Sequence, residues 1–203
     1  MAGRVLWDVD TQVDFVHADG KLAVPGAMEV VPAMARLVEA ARAAEIPHVA
    51  SADDHELTDA EISEEPDYTT TYPPHCLRGT RGAGRIPETE QADPVPLALT
   101  DVPRRWLRGR EFLLLKKSFD VFTNPNADHV LELLDPDEVV LFGVATDVCN
   151  DAAIRGLLAR GRNVAFVEDA SRGLDETRTA ACLAAWRAEG VRFVTCAAVL
   201  DQL

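Results

Sequence analysis

Cys149 is placed for covalent chemistry, because it follows the apolar run 139–144 and lies where a helical pattern begins. Unpaired N–H groups and the positive dipole end at a helix N-terminus favour thiolate over thiol, and they could hold the oxyanion of a tetrahedral intermediate. A lysine nearby would favour thiolate further. A carboxylate nearby could take the thiol proton and later deliver it to a leaving amine. Spacing alone leaves a small buried hydrophobic cysteine as an equal alternative.

A second group of polar residues has the composition of a metal site. Asp53 and His55 are two residues apart, so in an extended segment both side chains point to one side. Glu61 and His75 follow in the same stretch. Carboxylates with imidazoles could bind Zn²⁺, Mn²⁺ or Fe²⁺, and a Lewis acid there could anchor the ring nitrogen of a heteroaromatic substrate. Spacing alone favours the other interpretation, a polar active-site loop without a metal.

The apolar pattern indicates how these residues are brought together. Short apolar runs alternate with amphipathic helical patterns, which is typical of βαβ units and a parallel sheet. The pattern predicts six strands, at 4–9, 46–52, 112–115, 139–144, 164–167 and 191–195. It predicts helices at 26–44, 126–134, from 146 or 147 to 160, and 176–189. We therefore expect a doubly wound, mainly parallel α/β sheet in the order 3-2-1-4-5-6 with helices on both faces, as a single domain over residues 1–203.

In such sheets, ligands bind beyond the carboxyl ends of the strands, near the point where strand order reverses. Reactive side chains stand at or just beyond the ends of the first four predicted strands: Asp10, Asp53 with His55, Lys116 and Cys149. The expected order makes the first and fourth strands neighbours, which would bring Asp10 and Cys149 together. The stretch 53–106 is long for a loop and carries seven of the twelve prolines, so we expect it to be functional or to hold minor elements.

Composition narrows the classes of function. A net charge of −14 argues against sequence-independent binding to nucleic acid or to an anionic membrane, because phosphate surfaces favour excess lysine and arginine. Seven arginines between 78 and 110 are a local exception, interpreted as a solvated basic face, with a collar for a substrate carboxylate as the alternative. No apolar run reaches the roughly 18 residues of a membrane span. A strand-like segment at the start and four cysteines without disulfide spacing lead us to expect a cytoplasmic protein without a signal peptide.

Three segments resemble the signatures of the isochorismatase-like cysteine hydrolases: VDTQVDF at 9–15, KKSFDVF at 116–122 and GVATDVC at 143–149. They stand in the order found in that family, and the resemblance spans nearly the whole chain. It implies a catalytic triad of Asp10, Lys116 and Cys149. It also implies a cis peptide bond before Ala145 and an oxyanion hole formed by the N–H groups of Ala145 and Cys149.

Lys117 competes with Lys116 for the place of the triad lysine. Neighbouring side chains at a strand end point to opposite faces, so only one of them can serve. The interval to Phe119 and Phe122 favours Lys116.

The stretch from Asp53 to 83 is similar to the metal-binding segment of nicotinamidases, through DxH at 53–55, HC at 75–76 and GTRGA at 79–83. The resemblance implies one divalent metal (Zn, Mn or Fe) on Asp53, His55, Glu61 and His75, and no organic cofactor. Glu61 stands where many of those enzymes have a third histidine, and Glu64 and Glu65 are alternatives to it.

The resemblance predicts a small amide as the substrate, most of all nicotinamide, which would be hydrolysed through a thioester. An aromatic wall of Phe15, Tyr72 and Phe122 would hold a flat ring, with Val144 as a further contact. Many nicotinamidases have a tryptophan where this chain has Tyr72. An N-carbamoyl or ureido compound or another small amide is the enzymatic alternative, and a thiol redox sensor or an idle ligand-binding protein is the non-enzymatic one. We also expect a homo-oligomer.

Overall fold

The computed structural model describes residues 3–202 of the chain. Its seven strands are β1 (Arg4–Val9), β2 (His48–Asp53), β3 (Val95–Leu97), β4 (Glu111–Lys116), β5 (Glu138–Val144), β6 (Asn163–Arg172) and β7 (Arg192–Val194). They form one sheet in the order β3-β4-β2-β1-β5-β6-β7, and every pair is parallel. The expected order of the six predicted strands is confirmed, and β3 is added at one edge.

The edge strand β3 is a correction to the predicted count of six. It has only three residues and pairs with β4 so that Val95 lies opposite Phe112. Its central residue is Pro96, which has no N–H to give to a ladder and is tolerated at a sheet edge. Three residues around a proline are too few to produce a strand pattern in the sequence.

The helices are α1 (Val13–Val16), α2 (Ala27–Ala43), α3 (Asn126–Leu134), α4 (Cys149–Ala159), α5 (Glu176–Ala188) and α6 (Cys196–Leu200). Short 3₁₀ turns lie at Pro87–Thr89, Arg104–Trp106 and Val121–Thr123. The predicted helices agree with α2 to α5 apart from their ends, whereas α1 and α6 are too short to show helical periodicity. The start of α4 is two or three residues later than predicted, because 145–148 form a tight turn. No helix within residues 3–202 is long and apolar enough to cross a membrane.

Two apolar layers cover the sheet. Alternation along β1 sends Leu6 to the layer under α2 and α6, and Val5 and Trp7 to the layer under α3, α4 and α5. Between β1 and β5 the backbones approach closely at Gly143, where a Cβ would lie 2.1 Å from the Val9 carbonyl oxygen. This close approach brings the ends of β1 and β5 together at the point where strand order reverses.

Candidate active site

The ends of β1, β2 and β4 and the start of α4 bring four reactive side chains together. Lys116 Nζ lies 2.9 Å from Asp10 Oδ2 and 3.7 Å from Cys149 Sγ, and it also contacts Asp53 Oδ1. All four residues are buried. The structure thus brings together the three residues predicted as a triad. It adds Asp53, assigned from the sequence to the metal site alone, as a second carboxylate on the same ammonium group.

The Asp10 carboxylate is held from two sides. Its backbone adopts a φ of 50°, and its N–H donates to the Ser51 carbonyl at 3.3 Å. The Ser51 hydroxyl donates to Asp10 Oδ1 at 2.6 Å, while Oδ2 faces Lys116. Sequence reasoning missed Ser51, because a single serine inside a buried strand carries no motif.

Burial sets the proton affinities of these groups. It raises the pKa of the Cys149 thiol; Lys116 opposes the shift, and Asp10, Asp53 and Glu61 add to it. This direction is opposite to the shift toward thiolate that the helix start and the lysine led us to expect. Burial also raises the pKa of Asp10, with Asp53 adding to the shift and Lys116 opposing it. The pKa of Lys116 is lowered by burial but raised more by its anionic neighbours, so the ammonium stays charged.

The turn before α4, residues 145–148, is held by backbone hydrogen bonds. The Val144–Ala145 peptide bond is cis, as expected. The N–H groups of Val148 and Asn150 donate to the Ala145 carbonyl at 3.1 and 3.0 Å. The N–H groups of Ala145 and Cys149 have no acceptor among residues 3–202. Two donors are therefore available beside the thiol.

The predicted metal ligands form a buried cluster. One ligand atom from each of Asp53, His55, Glu61 and His75 lies within 4.8 Å of every other. Asp53 Oδ2 is 3.4 Å from His75 Nε2 and 3.6 Å from His55 Nε2, and neither Asp53 Oδ2 nor His55 Nε2 has a hydrogen-bond partner among the described residues. Glu61 Oε1 is 3.9 Å from His55 Nε2. Buried polar atoms that face one another without donors between them fit a divalent cation.

Outer contacts orient the two imidazoles. His75 Nδ1 lies 2.7 Å from the Pro73 carbonyl, and His55 Nδ1 lies 3.2 Å from Asp59 Oδ2. Protons on these Nδ1 atoms leave both Nε2 atoms free to bind a metal. Lys117 Nζ donates to Asp59 Oδ2 at 2.9 Å, so this second lysine supports the cluster from outside.

Glu61 is fixed in the same way. The Phe119 N–H donates to Glu61 Oε2 at 2.7 Å, which turns Oε1 toward the imidazoles. The two alternatives, Glu64 and Glu65, are exposed.

The thiol and the metal cluster face the same small cavity, lined by Phe15, Leu22, Asp53, Glu61, Tyr72, His75, Ala145, Val148, Cys149 and Leu174. Its free space is about 10 Å³, roughly what one water molecule needs. Leu22, Val148 and Leu174 were missed by sequence reasoning, because isolated apolar residues in turns have no periodicity. The predicted ring contacts Phe15 and Tyr72 are part of this lining.

Phe122 and Val144, also predicted to contact substrate, are not part of the cavity lining. The Phe122 ring lies under the Arg160 guanidinium, with 3.8 Å between the guanidinium carbon and the ring centroid. It packs so closely on α4 that a Cβ at Gly156 would lie 2.1 Å from the ring. Val144 is fully buried in the apolar layer at the end of β5. Neither side chain therefore lines the cavity; Phe122 lines a larger groove beside it, and Val144 serves packing.

The arginines between 78 and 110 do not form a collar around Cys149. Arg78 pairs with Asp54 at 2.5 Å, and Arg85 pairs with buried Asp8 at 2.5 Å. None of the seven lines the cavity that contains Cys149. Arg78 and Arg85 are therefore explained by their ion pairs with acidic residues.

Comparison with known proteins places the chain in a family. It is 28% identical to the nicotinamidase/pyrazinamidase of Mycobacterium tuberculosis over 94% of this chain and 98% of that protein. The fold is similar to an isochorismatase family protein from Desulfovibrio vulgaris, with a TM-score of 0.79, 23% identity and coverage of 99% and 98%. It is also similar to the pyrazinamidase of Pyrococcus horikoshii in complex with zinc, with a TM-score of 0.76, 21% identity and coverage of 95% and 99%. The model of the isochorismatase domain matches residues 5–198, and the chain belongs to that family.

Proposed function

We propose that this protein is a cysteine-dependent amidohydrolase that cleaves a small amide through a thioester. The observation that carries the proposal is the buried ammonium of Lys116, 2.9 Å from the Asp10 carboxylate and 3.7 Å from the Cys149 sulfur. A carboxylate of raised pKa beside a buried thiol suits proton transfer at the moment of attack. The nicotinamidase/pyrazinamidase relative supports an amide as the bond that is cleaved.

The reaction follows from the positions of these groups. Asp10 takes the thiol proton as Cys149 Sγ attacks the amide carbonyl, and the oxyanion accepts hydrogen bonds from the N–H groups of Ala145 and Cys149. Collapse of the tetrahedral intermediate breaks the C–N bond, and Asp10 gives its proton to the departing ammonia. Asp10 then takes a proton from a water molecule that attacks the thioester. The second tetrahedral intermediate expels the Cys149 thiolate, which takes this proton from Asp10, so the acid is released and the thiol and carboxylate are restored. Lys116 stays charged throughout and stabilises the carboxylate and the developing thiolate.

Nicotinamide is the substrate that fits the surroundings of the thiol best. The side chains of Asp53, His55, Glu61 and His75 would hold a divalent metal, which would supply a Lewis acid for a ring nitrogen. Phe15 and Tyr72 line the same cavity and could flank a flat ring. An N-carbamoyl or ureido compound offers no ring nitrogen to this cluster, and we rank it second.

The test is ammonia release from nicotinamide, an open-chain amide and an N-carbamoyl amino acid. We expect nicotinamide to be hydrolysed with the highest kcat/KM, and Cys149→Ala to abolish the reaction. Cys182→Ala is the matched control and should leave it unchanged. Faster hydrolysis of the carbamoyl compound would replace the substrate, and no ammonia from any of the three would contradict the proposal.

A further inference from the structure

The cavity next to Cys149 is too small to hold a ring such as that of nicotinamide. Beside it lies a much larger groove of about 670 Å³, compared with about 10 Å³ for the cavity. Tyr72 and Val148 line both spaces and therefore form the wall between them. A ring the size of nicotinamide can enter from the groove only if this wall moves.

Asp147, two residues before the nucleophile, ties the wall to its surroundings. Its side chain is fully buried. Oδ1 accepts the Leu174 N–H at 2.7 Å, and Oδ2 accepts the Asp175 N–H and Arg178 Nε, each at 3.1 Å. Leu174 lines the cavity, so one carboxylate fixes both a part of the cavity lining and the guanidinium of Arg178.

Arg178 reaches from this carboxylate to the loop that carries Tyr72. Its Nη1 donates to the Tyr68 carbonyl at 2.8 Å. The Tyr68 and Tyr72 rings meet edge to face, with centroids 6.3 Å apart. Arg178 thus connects the turn before Cys149 to the ring that neighbours Tyr72.

The tip of that loop, residues 67–71, is a compact unit. The Asp67 carboxylate accepts the N–H groups of Thr69, Thr70 and Thr71 at 2.8, 2.8 and 2.9 Å. The Tyr68 N–H donates to the Thr71 carbonyl at 3.0 Å. A tip with this many internal hydrogen bonds moves as one piece, so a single tie at Tyr68 can hold all of it.

We infer that Arg178 is a specificity-determining residue, which holds the 67–71 tip and with it Tyr72 against the cavity and thereby restricts entry to small, flat amides. Arg178 lines the groove but not the cavity, so it acts through Tyr68 and Asp147 rather than by touching the reacting amide. The substrate half of this inference rests on the proposed amidohydrolase function. The claim that Arg178 controls access to Cys149 does not depend on that function.

The test compares alkylation of Cys149 by iodoacetamide and by bulky N-phenylmaleimide, followed by peptide mapping. In Arg178→Ala, the alkylation rate with N-phenylmaleimide divided by the rate with iodoacetamide should rise about tenfold. This is the effect expected from losing a hydrogen bond to a charged group. Arg155→Ala is the matched control, because Arg155 lines the same groove but pairs with Asp151 at 2.9 Å and Glu189 at 3.3 Å instead of the tip. It should behave like the wild-type protein.

Kinetics on amides then separate the two claims. Arg178→Ala should lower KM for amides larger than nicotinamide and leave kcat for nicotinamide within about twofold. Arg178→Gln, which keeps a donor in a shorter side chain, supplies the same comparison if Arg178→Ala does not fold. An unchanged alkylation ratio in a folded variant would overturn the inference while leaving amide hydrolysis intact. A raised ratio in a protein that hydrolyses no amide would sustain the control of access and reject the proposed function.

Discussion

Two carboxylates at the end of the first strand, Asp8 and Asp10, are equally buried, with no exposed surface on either. Asp8 has a cation of its own, because Arg85 Nη2 lies 2.5 Å from its Oδ2 and the Thr11 hydroxyl donates to the same oxygen at 3.1 Å. Burial raises the pKa of Asp8, but Arg85 and His48 more than offset this, and the pKa lies below its usual value.

Asp10 has to share its cation. Lys116 contacts both Asp10 and Asp53, and the second carboxylate pushes the pKa of Asp10 in the same direction as burial does. The net shift is upward. Asp8 and Asp10 are thus equally buried, but their pKa values shift in opposite directions. Asp8, which has its own guanidinium, stays ionised and has a structural role, whereas Asp10, which shares an ammonium, can accept a proton.

The largest effect is expected from Asp10→Asn, which removes the proton acceptor but keeps the shape. We predict a loss of at least about 10³-fold in kcat on nicotinamide, within the range for a general base. Asp8→Asn is the matched control and should keep kcat within about tenfold, because Asp8 faces Arg85 and not the thiol. Steady-state kinetics of the two variants check this, and equal losses in both would break the comparison.

Asp8→Asn should instead lower the free energy of unfolding by about 3 kcal/mol, since it leaves a buried guanidinium without its partner. Urea unfolding at neutral pH measures this. The native pKa of Asp8 lies below the reference 3.8, so its contribution is present above about pH 4 and is lost as the pH falls through the native value. The stability difference between the wild-type protein and Asp8→Asn should therefore shrink in acid, and a constant difference would reject the pairing as its cause.

A third carboxylate, Asp59, extends the comparison. It has its own cation, Lys117, and it also contacts His55 Nδ1. Asp59→Asn should weaken binding of Zn²⁺ about 10- to 100-fold, the usual cost of losing such an outer partner. Competition with a chromogenic chelator gives the dissociation constant without any assay of activity. Asp54→Asn is the control, because Asp54 pairs with Arg78 outside the cluster, and it should bind Zn²⁺ as the wild-type protein does.

The smallest expected effect distinguishes the hydroxyl groups of Ser51 and Thr11, which donate to Asp10 and to Asp8 respectively. Ser51 donates to Asp10 Oδ1 at 2.6 Å and lowers the pKa of that carboxyl, so Ser51→Ala should raise it. The acidic limb of the pH–rate profile should then move to higher pH, with kcat reduced about fivefold near that limb. Thr11→Val removes the matching donor to Asp8 and should leave the profile in place while costing about 1 kcal/mol of stability. Equal shifts of the profile in both variants would contradict the distinct roles.

The strands could be predicted because their apolar runs are long enough to show a pattern. The order of the strands in the sheet followed from the doubly wound arrangement. The residues proposed as triad and metal ligands could be picked out because each stands at a strand end or in a motif. The missing features have no such signal: β3 is three residues around Pro96, and Ser51 is one hydroxyl in a buried strand. The sequence shows that Phe122 is near the site, but not that its ring turns under Arg160 and lines the groove rather than the cavity.

The proton affinity of Cys149 was misjudged for a related reason. A helix N-terminus and a lysine can be read from the sequence, and both favour a thiolate. Burial of the sulfur and the three carboxylates around it, which come from distant parts of the chain, appear only in the fold, and the pKa of the thiol is raised although Lys116 lowers it.

The most direct test of the account is a rapid-quench experiment with nicotinamide, followed by mass spectrometry of the peptide that contains Cys149. We predict a transient nicotinoyl group on Cys149 that forms as fast as the first ammonia is released, and neither adduct nor ammonia in Cys149→Ala. Ammonia release from Cys149→Ala at a rate comparable to that of the wild-type protein would contradict covalent catalysis through this residue.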